Sequence, residues 1–258
     1  MCKKNLPIGV FDSGVGGISV LKTCVSILPY ENFIYFADTK NSPYGNLDDQ
    51  TITQLTFEAV DRLIMMGVKS VVIACNTATA AAINALRSKH NIKIIGIEPA
   101  IKPACLYITE GKVLVMLTNA ASNQPKFKAL VERCGQDKII VLPLKDLAHL
   151  IENNIGNFSA LKQYIHELLE PYKNLEIKAI VLGCTHYLFV KDIVSEFFDG
   201  IKIFDGNMGV AQNLKNTLIS ENIFNDSCKS GYIEFFSSDP KYEQLYKDFW
   251  QSIIHKKF

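Results

Sequence analysis

Short apolar, β-branched runs alternate along this chain with longer stretches whose apolar positions recur every three or four residues. The apolar runs are PIGVFD (7–12), NFIYFAD (32–38), SVVIAC (70–75), IKIIGIE (92–98), KVLVML (112–117), KIIVLP (138–143), AIVLGC (179–184), IKIFDG (201–206) and YIEFFSS (232–238). Each is continuous rather than alternating, which predicts strands covered on both faces, as in parallel sheets. Between them lie helical segments; in 48–67, for instance, Ile52, Leu55, Ala59 and Leu63 fall at helical spacing. The alternation predicts an α/β fold with parallel sheets.

Nine strands are too many for one small sheet. The first four predict one unit, and a second runs from about Pro99 to about Asn207. The last strand and a helix over 239–256 return to the first unit. The expected division is therefore 1–98 plus 208–258 against 99–207. One internal echo crosses it. VVIACNTAT (71–79) and IVLGCTHYL (180–188) both run from apolar residues into a cysteine, then polar side chains, then a helix.

Composition narrows the setting. At 48% hydrophobic residues, 258 residues are ample for a packed core. A formal net charge of +1 points to neither a nucleic-acid nor a membrane surface. Only Arg62, Arg87 and Arg133 are arginines, so rigid bidentate clamps for carboxylates are scarce. Seven scattered cysteines without a CxxC pair suit a reducing compartment. The N-terminus lacks a signal peptide's apolar core, and no apolar run reaches the roughly 18 residues of a membrane span. A cytoplasmic protein is expected.

In open α/β sheets, ligands bind beyond the carboxyl ends of the strands. The residues to weigh there are Asp12 and Ser13, Asp38, Cys75 with Asn76 and Thr77, Thr118, and Cys184 with Thr185 and His186. A cysteine at a strand end is most often a small hydrophobe. Cys24 falls at helical spacing with Leu21 and Leu28 and reads as core. Cys2, Cys105, Cys134 and Cys228 have no polar company in sequence and read as structural. Cys75 and Cys184 differ. Each precedes a predicted helix start, where a thiolate is stabilised, and each is followed by hydrogen-bonding side chains.

Three rival readings compete. DSGVGGIS (12–19) resembles a dinucleotide loop, with Asp38 near a ribose-binding position, but Ser19 stands where the third glycine belongs. Cys75, Cys184 and His186 have the composition of a catalytic zinc set. A two-lobed small-ligand-binding protein would use polar strand ends without chemistry. Two thiols facing each other across a cleft suit one further reaction. One takes a proton from a carbon and the other returns one to the opposite face, inverting the centre. A thiol of pKa about 8.5 needs strong help against so weak a carbon acid, and hydroxyl, amide and backbone donors around the neighbouring carboxylate supply it.

GVFDSGVGG (9–17), SPYG (42–45), ACNTAT (74–79), GIEPA (96–100) and GCTHY (183–187) resemble, in order and separation, the motif series of the glutamate racemase family. DGNMGVA (205–211) and FFSSDPKYEQLYKDF (235–249) are similar to its C-terminal segments. The resemblance covers nearly the whole chain. It implies two flavodoxin-like, doubly wound parallel-sheet domains with the active site in the cleft between them. It implies cofactor-independent, metal-free interconversion of L- and D-glutamate for peptidoglycan synthesis by a homodimer, with aspartate as the nearest alternative substrate. By position it implies Cys75 acting on D-glutamate and Cys184 on L-glutamate, flanked by Asp12, Glu152 and His186. Substrate-binding positions would be Asp12, Ser13, Tyr44, Gly45, Asn76, Thr77, Thr118, Thr185 and His186.

The chain departs from the family's pattern at three places. Ala121 replaces a threonine, and Asn119 or Ser122 is expected to compensate. Asn41 stands where many members carry arginine. HLIE (149–152) lacks the proline common before Leu-Ile-Glu.

Overall fold

The computed structural model of the chain describes residues 3–254, so Cys2 lies outside them. Nine strands form among these residues: β1 (Ile8–Asp12), β2 (Phe33–Ala37), β3 (Ser70–Ile73), β4 (Lys93–Gly96), β5 (Lys112–Thr118), β6 (Ile139–Leu144), β7 (Ile177–Leu182), β8 (Lys202–Phe204) and β9 (Ile233–Ser237). Each falls on a run expected from the sequence. The helices are α1 (Gly17–Ile27), α2 (Asp49–Met65), α3 (Asn76–Lys89), α4 (Ile101–Tyr107), α5 (Asn119–Asn123), α6 (Pro125–Cys134), α7 (Leu147–Asn153), α8 (Lys162–Leu169), α9 (Lys191–Phe197), α10 (Asn207–Ser220) and α11 (Glu243–Ile253). The helix expected over 239–256 is α11, preceded by a 3₁₀ turn at Pro240–Tyr242; residues 255–256 lie outside the described region.

Two open parallel sheets result, each part of an α/β domain, with no closed barrel. The first has the order β4-β3-β1-β2-β9 and the second β6-β5-β7-β8. All seven pairings are parallel. β1, β2 and β3 are buried at every position, which is why their sequences are continuously apolar. Both sheets repeat one arrangement: the first strand of the set lies between the second and the third. That order creates a switch point at the carboxyl ends of β1 and β3 and another at those of β5 and β7.

Local sequence sets the helix ends. Asp48 caps α2, its carboxylate accepting the Thr51 N–H at 2.9 Å, and Gly67 comes after that helix at φ +80°. α6 begins at Pro125 and gives way to Gly135 at φ +95°. The chain crosses between the sheets at 97–100 and 205–206. These crossings touch: a Cβ on Gly206 would lie 2.6 Å from the Glu98 carbonyl oxygen.

The core is continuous across the two sheets on one side. Val15 and Ile18 of the first domain join Leu147, Ile151, Tyr187 and Leu188 of the second in one buried cluster, which also takes in Leu214 of α10 and Trp250 of α11. The switch points therefore face each other above a shared apolar floor. Among the described residues, no helix is long and apolar enough to cross a membrane.

Candidate active site

The two switch points supply the site. Asp12 ends β1, Cys75 comes after β3, Thr118 ends β5 and Cys184 comes after β7. Cys75 and Cys184, each 6% exposed, line one small cavity with Ser13, Tyr44, Gly45, Asn76, Thr77, Thr118, Thr185 and His186. All of these were expected from the sequence. Pro43 and Ala148 join them.

The two thiols sit in different surroundings. Cys75 is the N-cap of α3, and its Sγ accepts the Ala78 N–H at 3.4 Å. Burial and the nearby Asp12 carboxylate push its thiol up to about 12. Cys184 departs from the sequence expectation. It leads into a 3₁₀ segment, Thr185–Val190, and no cap hydrogen bond reaches its side chain. α9 starts only at Lys191, because the tighter turns place Tyr187 and Leu188 into the shared core first. The partner of Cys184 is instead a side chain: His186 Nδ1 lies 3.7 Å from its Sγ.

The far nitrogen of that imidazole, Nε2, lies 2.6 Å from Glu152 Oε1. Burial pushes His186 down. Its hydrogen bonds to Cys184 and Glu152, and their charges, push it further up, and it ends well above its ordinary value. Glu152 is not on a solvated helix face. Its Oε1 also accepts the Val15 N–H at 2.7 Å and the Ser42 hydroxyl at 3.2 Å, both from the first domain.

Asp12 is fully buried. One oxygen accepts the Gly14 N–H at 2.9 Å, and the other accepts the Thr185 hydroxyl at 3.1 Å. Burial raises its carboxyl to about 6, against the lowering effects of His186 and of the Gly14 N–H. Thr77 and Thr118 share a hydrogen bond of 2.9 Å between their hydroxyls, one from each domain. Thr118 also caps α5, accepting the Ala121 N–H at 3.2 Å. The Asn76 side-chain oxygen is buried with no hydrogen-bond partner.

The glycine-rich loop serves side chains rather than a phosphate. A Cβ on Gly14 would lie 1.7 Å from Glu152 Oε1, and one on Gly16 would lie 2.4 Å from Thr185 Oγ1. The missing side chains leave room for the second domain's polar groups. Asp38 is likewise absorbed by its neighbours. It accepts the Tyr44 hydroxyl at 2.7 Å and the Asn41 amide at 3.0 Å, tethering the 3₁₀ turn that carries Tyr44 and Gly45. Tyr44 thus lines the cavity with its hydroxyl already engaged.

Neither residue expected to compensate for Ala121 does so: Asn119 is exposed, and the Ser122 hydroxyl donates to the Asn119 carbonyl. Ala121 packs its side chain into the second domain's core and contributes only its N–H. Among the described residues no group of three or more His, Cys, Asp or Glu is arranged to hold a metal ion, so Cys75, Cys184 and His186 do not form a zinc set. Three further contributors carry no individual signal in the sequence: Ser42, the Val15 N–H and Tyr35, whose hydroxyl donates to the Gly14 carbonyl. Ser42 at least lies within the SPYG motif, whereas Tyr35 is one more residue of an apolar strand.

The sequence profile of the Asp/Glu/hydantoin racemases matches residues 30–213, well over half of the chain. A glutamate racemase of Clostridium botulinum is 45% identical over 242 residues, 93% of this chain and 94% of the relative. Two solved structures share the fold over nearly the full length. Glutamate racemase of Francisella tularensis in complex with D-glutamate has a TM-score of 0.81 and 28% identity, over 96% of this chain and 94% of that one. Escherichia coli glutamate racemase in complex with L-glutamate and the activator UDP-MurNAc-Ala has a TM-score of 0.82 and 25% identity, over 95% of each chain.

Proposed function

The chain belongs to the Asp/Glu/hydantoin racemase family, and on that premise we propose that it interconverts L- and D-glutamate without a cofactor, by proton transfer between the substrate α-carbon and two cysteines. The observation that carries this reading is that Cys75 and Cys184, from the switch points of two different sheets, line one cavity. Relatives of the same fold bind D-glutamate and L-glutamate, which supports the choice of substrate.

The asymmetry around the thiols gives each a starting role. Cys184 has His186 Nδ1 3.7 Å from its Sγ, and the hydrogen bonds of that imidazole to Cys184 and Glu152 hold it well above its ordinary value, so a proton-handling partner adjoins the sulfur we assign as the base toward L-glutamate. Cys75 is held as a thiol by burial and by Asp12, which suits it to return a proton from the opposite face. In the reverse direction the roles exchange. The carbanion needs its charge drawn onto the α-carboxylate, and the hydroxyls of Ser13, Thr77, Thr118 and Thr185 with the Asn76 amide are the donors at hand. The unpartnered Asn76 oxygen and Asp12 suit the substrate ammonium. Glu152 orients His186 and keeps it charged. Tyr44 and Gly45 close the wall by packing and backbone.

The wider reading is a cytoplasmic homodimer supplying D-glutamate for peptidoglycan, with domains 1–98 plus 208–258 and 99–207. The two separate sheets support that division. The deciding experiment is proton NMR of the protein with L-glutamate, D-glutamate and L-aspartate in D₂O, with chiral analysis of the products. Loss of the α-proton signal from glutamate with appearance of its enantiomer, without added cofactor, is the expected result. Turnover of aspartate alone would reassign the substrate, and no exchange from folded, reduced protein would overturn the reading.

A further inference from the structure

β2 is buried at every position, yet its sequence FIYFA carries one polar side-chain atom, the hydroxyl of Tyr35. The Tyr35 ring packs on Phe235 of β9, with centroids 5.7 Å apart, and meets Tyr246 of α11 edge-on at 6.2 Å. Tyr246 is itself held, its hydroxyl 2.8 Å from that of Thr39. These contacts fix where the phenol sits. At the start of α1 a Cβ on Gly17 would lie 2.9 Å from the Tyr35 hydroxyl, so the absence of a side chain there lets the phenol reach the glycine-rich loop. A buried phenol needs a partner, and this one donates to the Gly14 carbonyl.

That carbonyl is half of a peptide unit. The Gly14 oxygen and the Val15 N–H belong to one planar amide and, in its trans form, point to opposite sides. Tyr35 holds the oxygen. On the other side the Val15 N–H donates to Glu152 Oε1 at 2.7 Å. The same carboxylate oxygen lies 2.6 Å from His186 Nε2, and His186 Nδ1 lies 3.7 Å from Cys184 Sγ. Tyr35, the Gly14–Val15 amide, Glu152, His186 and Cys184 therefore form one line of polar contacts, from a strand of the first domain to a thiol of the second. Its polarity is consistent. A donor on an amide oxygen strengthens the N–H of the same amide as a donor, by about 10–30% per bond. It also fixes the amide plane, and with it the direction from which Glu152 is held.

We propose that Tyr35 is a positioning residue for proton transfer: by holding the Gly14–Val15 amide it sets where Glu152 Oε1 stands, and so how firmly His186 is aligned on Cys184. The inference rests on the racemase reading of the site and adds to it a residue that does not line the cavity. Without the hydroxyl the Gly14 carbonyl loses its donor and the amide is free to turn. The loss is felt at the imidazole rather than in substrate binding.

The test uses the full chain as wild type, Tyr35→Phe, Glu152→Gln and the double variant. In proton–nitrogen correlation spectra without substrate, the wild-type Val15 amide proton should stand downfield, as befits a donor to a carboxylate. It should move upfield in Tyr35→Phe while the Ala78 amide at Cys75 stays in place. With glutamate, kcat should fall by about tenfold in Tyr35→Phe, the scale of one buried hydrogen bond, with KM changed far less. In the Glu152→Gln background the same substitution should cost less than about twofold, because no carboxylate is left to position. Equal losses in both backgrounds would mark the hydroxyl as merely structural and overturn the proposal. A loss confined to KM, or an unmoved Val15 amide, would also overturn it. If Tyr35→Phe does not fold, the wild-type spectra decide: a freely exchanging Tyr35 hydroxyl proton, or a Val15 proton at an ordinary amide position, overturns the proposal. The spectra need no turnover. Absence of racemisation by the wild type would therefore tell against the proposed function, whereas an unmoved Val15 amide would tell against the positioning role alone.

Discussion

His186 and Glu152 meet at 2.6 Å, and the carboxylate oxygen that makes this contact also holds the Val15 N–H and the Ser42 hydroxyl of the opposite domain. One atom thus sets both the charge of the imidazole and the closeness of the two halves. Glu152→Gln keeps an oxygen for the Val15 N–H but loses the charge. We expect kcat to fall by about 10²-fold or more, the scale of a lost acid–base partner, with a smaller change in KM. Because Glu152 raises His186, its removal lowers the imidazole, and the alkaline limb of the kcat–pH profile should move to lower pH. An unmoved alkaline limb would remove Glu152 from this role.

The two cysteines allow a sharper test than loss of activity. The enantiomers of glutamate have equal free energy in water, so kcat/KM is the same in both directions for every variant. Proton exchange is not bound by that equality. Cys75→Ala and Cys184→Ala should each lose racemisation by about 10³-fold or more. Cys75→Ala should still exchange the α-proton of L-glutamate slowly with D₂O, and Cys184→Ala that of D-glutamate. Full racemase activity in either variant would refute a two-base site.

Asp12 ties the site to stability. Its folded pKa of about 6 lies above its ordinary 3.8, so the folded state holds a proton more tightly than the unfolded state does. Stability from this group is fully present below about pH 4 and is lost as pH rises through about 6, by up to about 3 kcal/mol. Asp12→Asn should therefore unfold at higher urea than the wild type at pH 7, with the difference shrinking by pH 4, while activity falls. Urea midpoints at the two pH values check this, and equal offsets at both would contradict it.

Gly14→Ala probes close approach rather than charge. The added methyl falls where the Glu152 carboxylate lies, and the side chain must move. A displacement of about 1 Å can cost about 10²-fold in rate. We expect a folded protein by circular dichroism with kcat reduced on that scale. Near-normal kcat would mean that the carboxylate position is not critical.

The strands were legible because each is buried on both faces and so carries a continuous apolar run. The cysteines were legible because each comes directly after such a run. Glu152 was harder to read: it looks like one acid on a short helix, and its partners Val15, Ser42 and His186 come from three distant segments. The 3₁₀ path after Cys184 was hidden for a related reason. THYLFV has no helix-breaking residue, and only the shared core dictates which side chains turn inward. Asp38 looked like a ligand group and proved to be a tether, because Tyr44 and Asn41 reach it first.

The position of β9 bears on how the protein is made. It lies outside β2, with Phe33 opposite Ile233, and its neighbour Tyr232 donates its N–H to the Asn32 side chain 200 residues earlier. Until the ribosome has delivered residues 233–237, the edge of FIYFA stands open, although every residue of that strand is buried in the finished fold. The second sheet has all its strands within 112–204 and can close sooner. The half of the molecule translated first is thus the last to be completed. A stall or cleavage before residue 233 would leave an apolar strand edge available to other nascent chains.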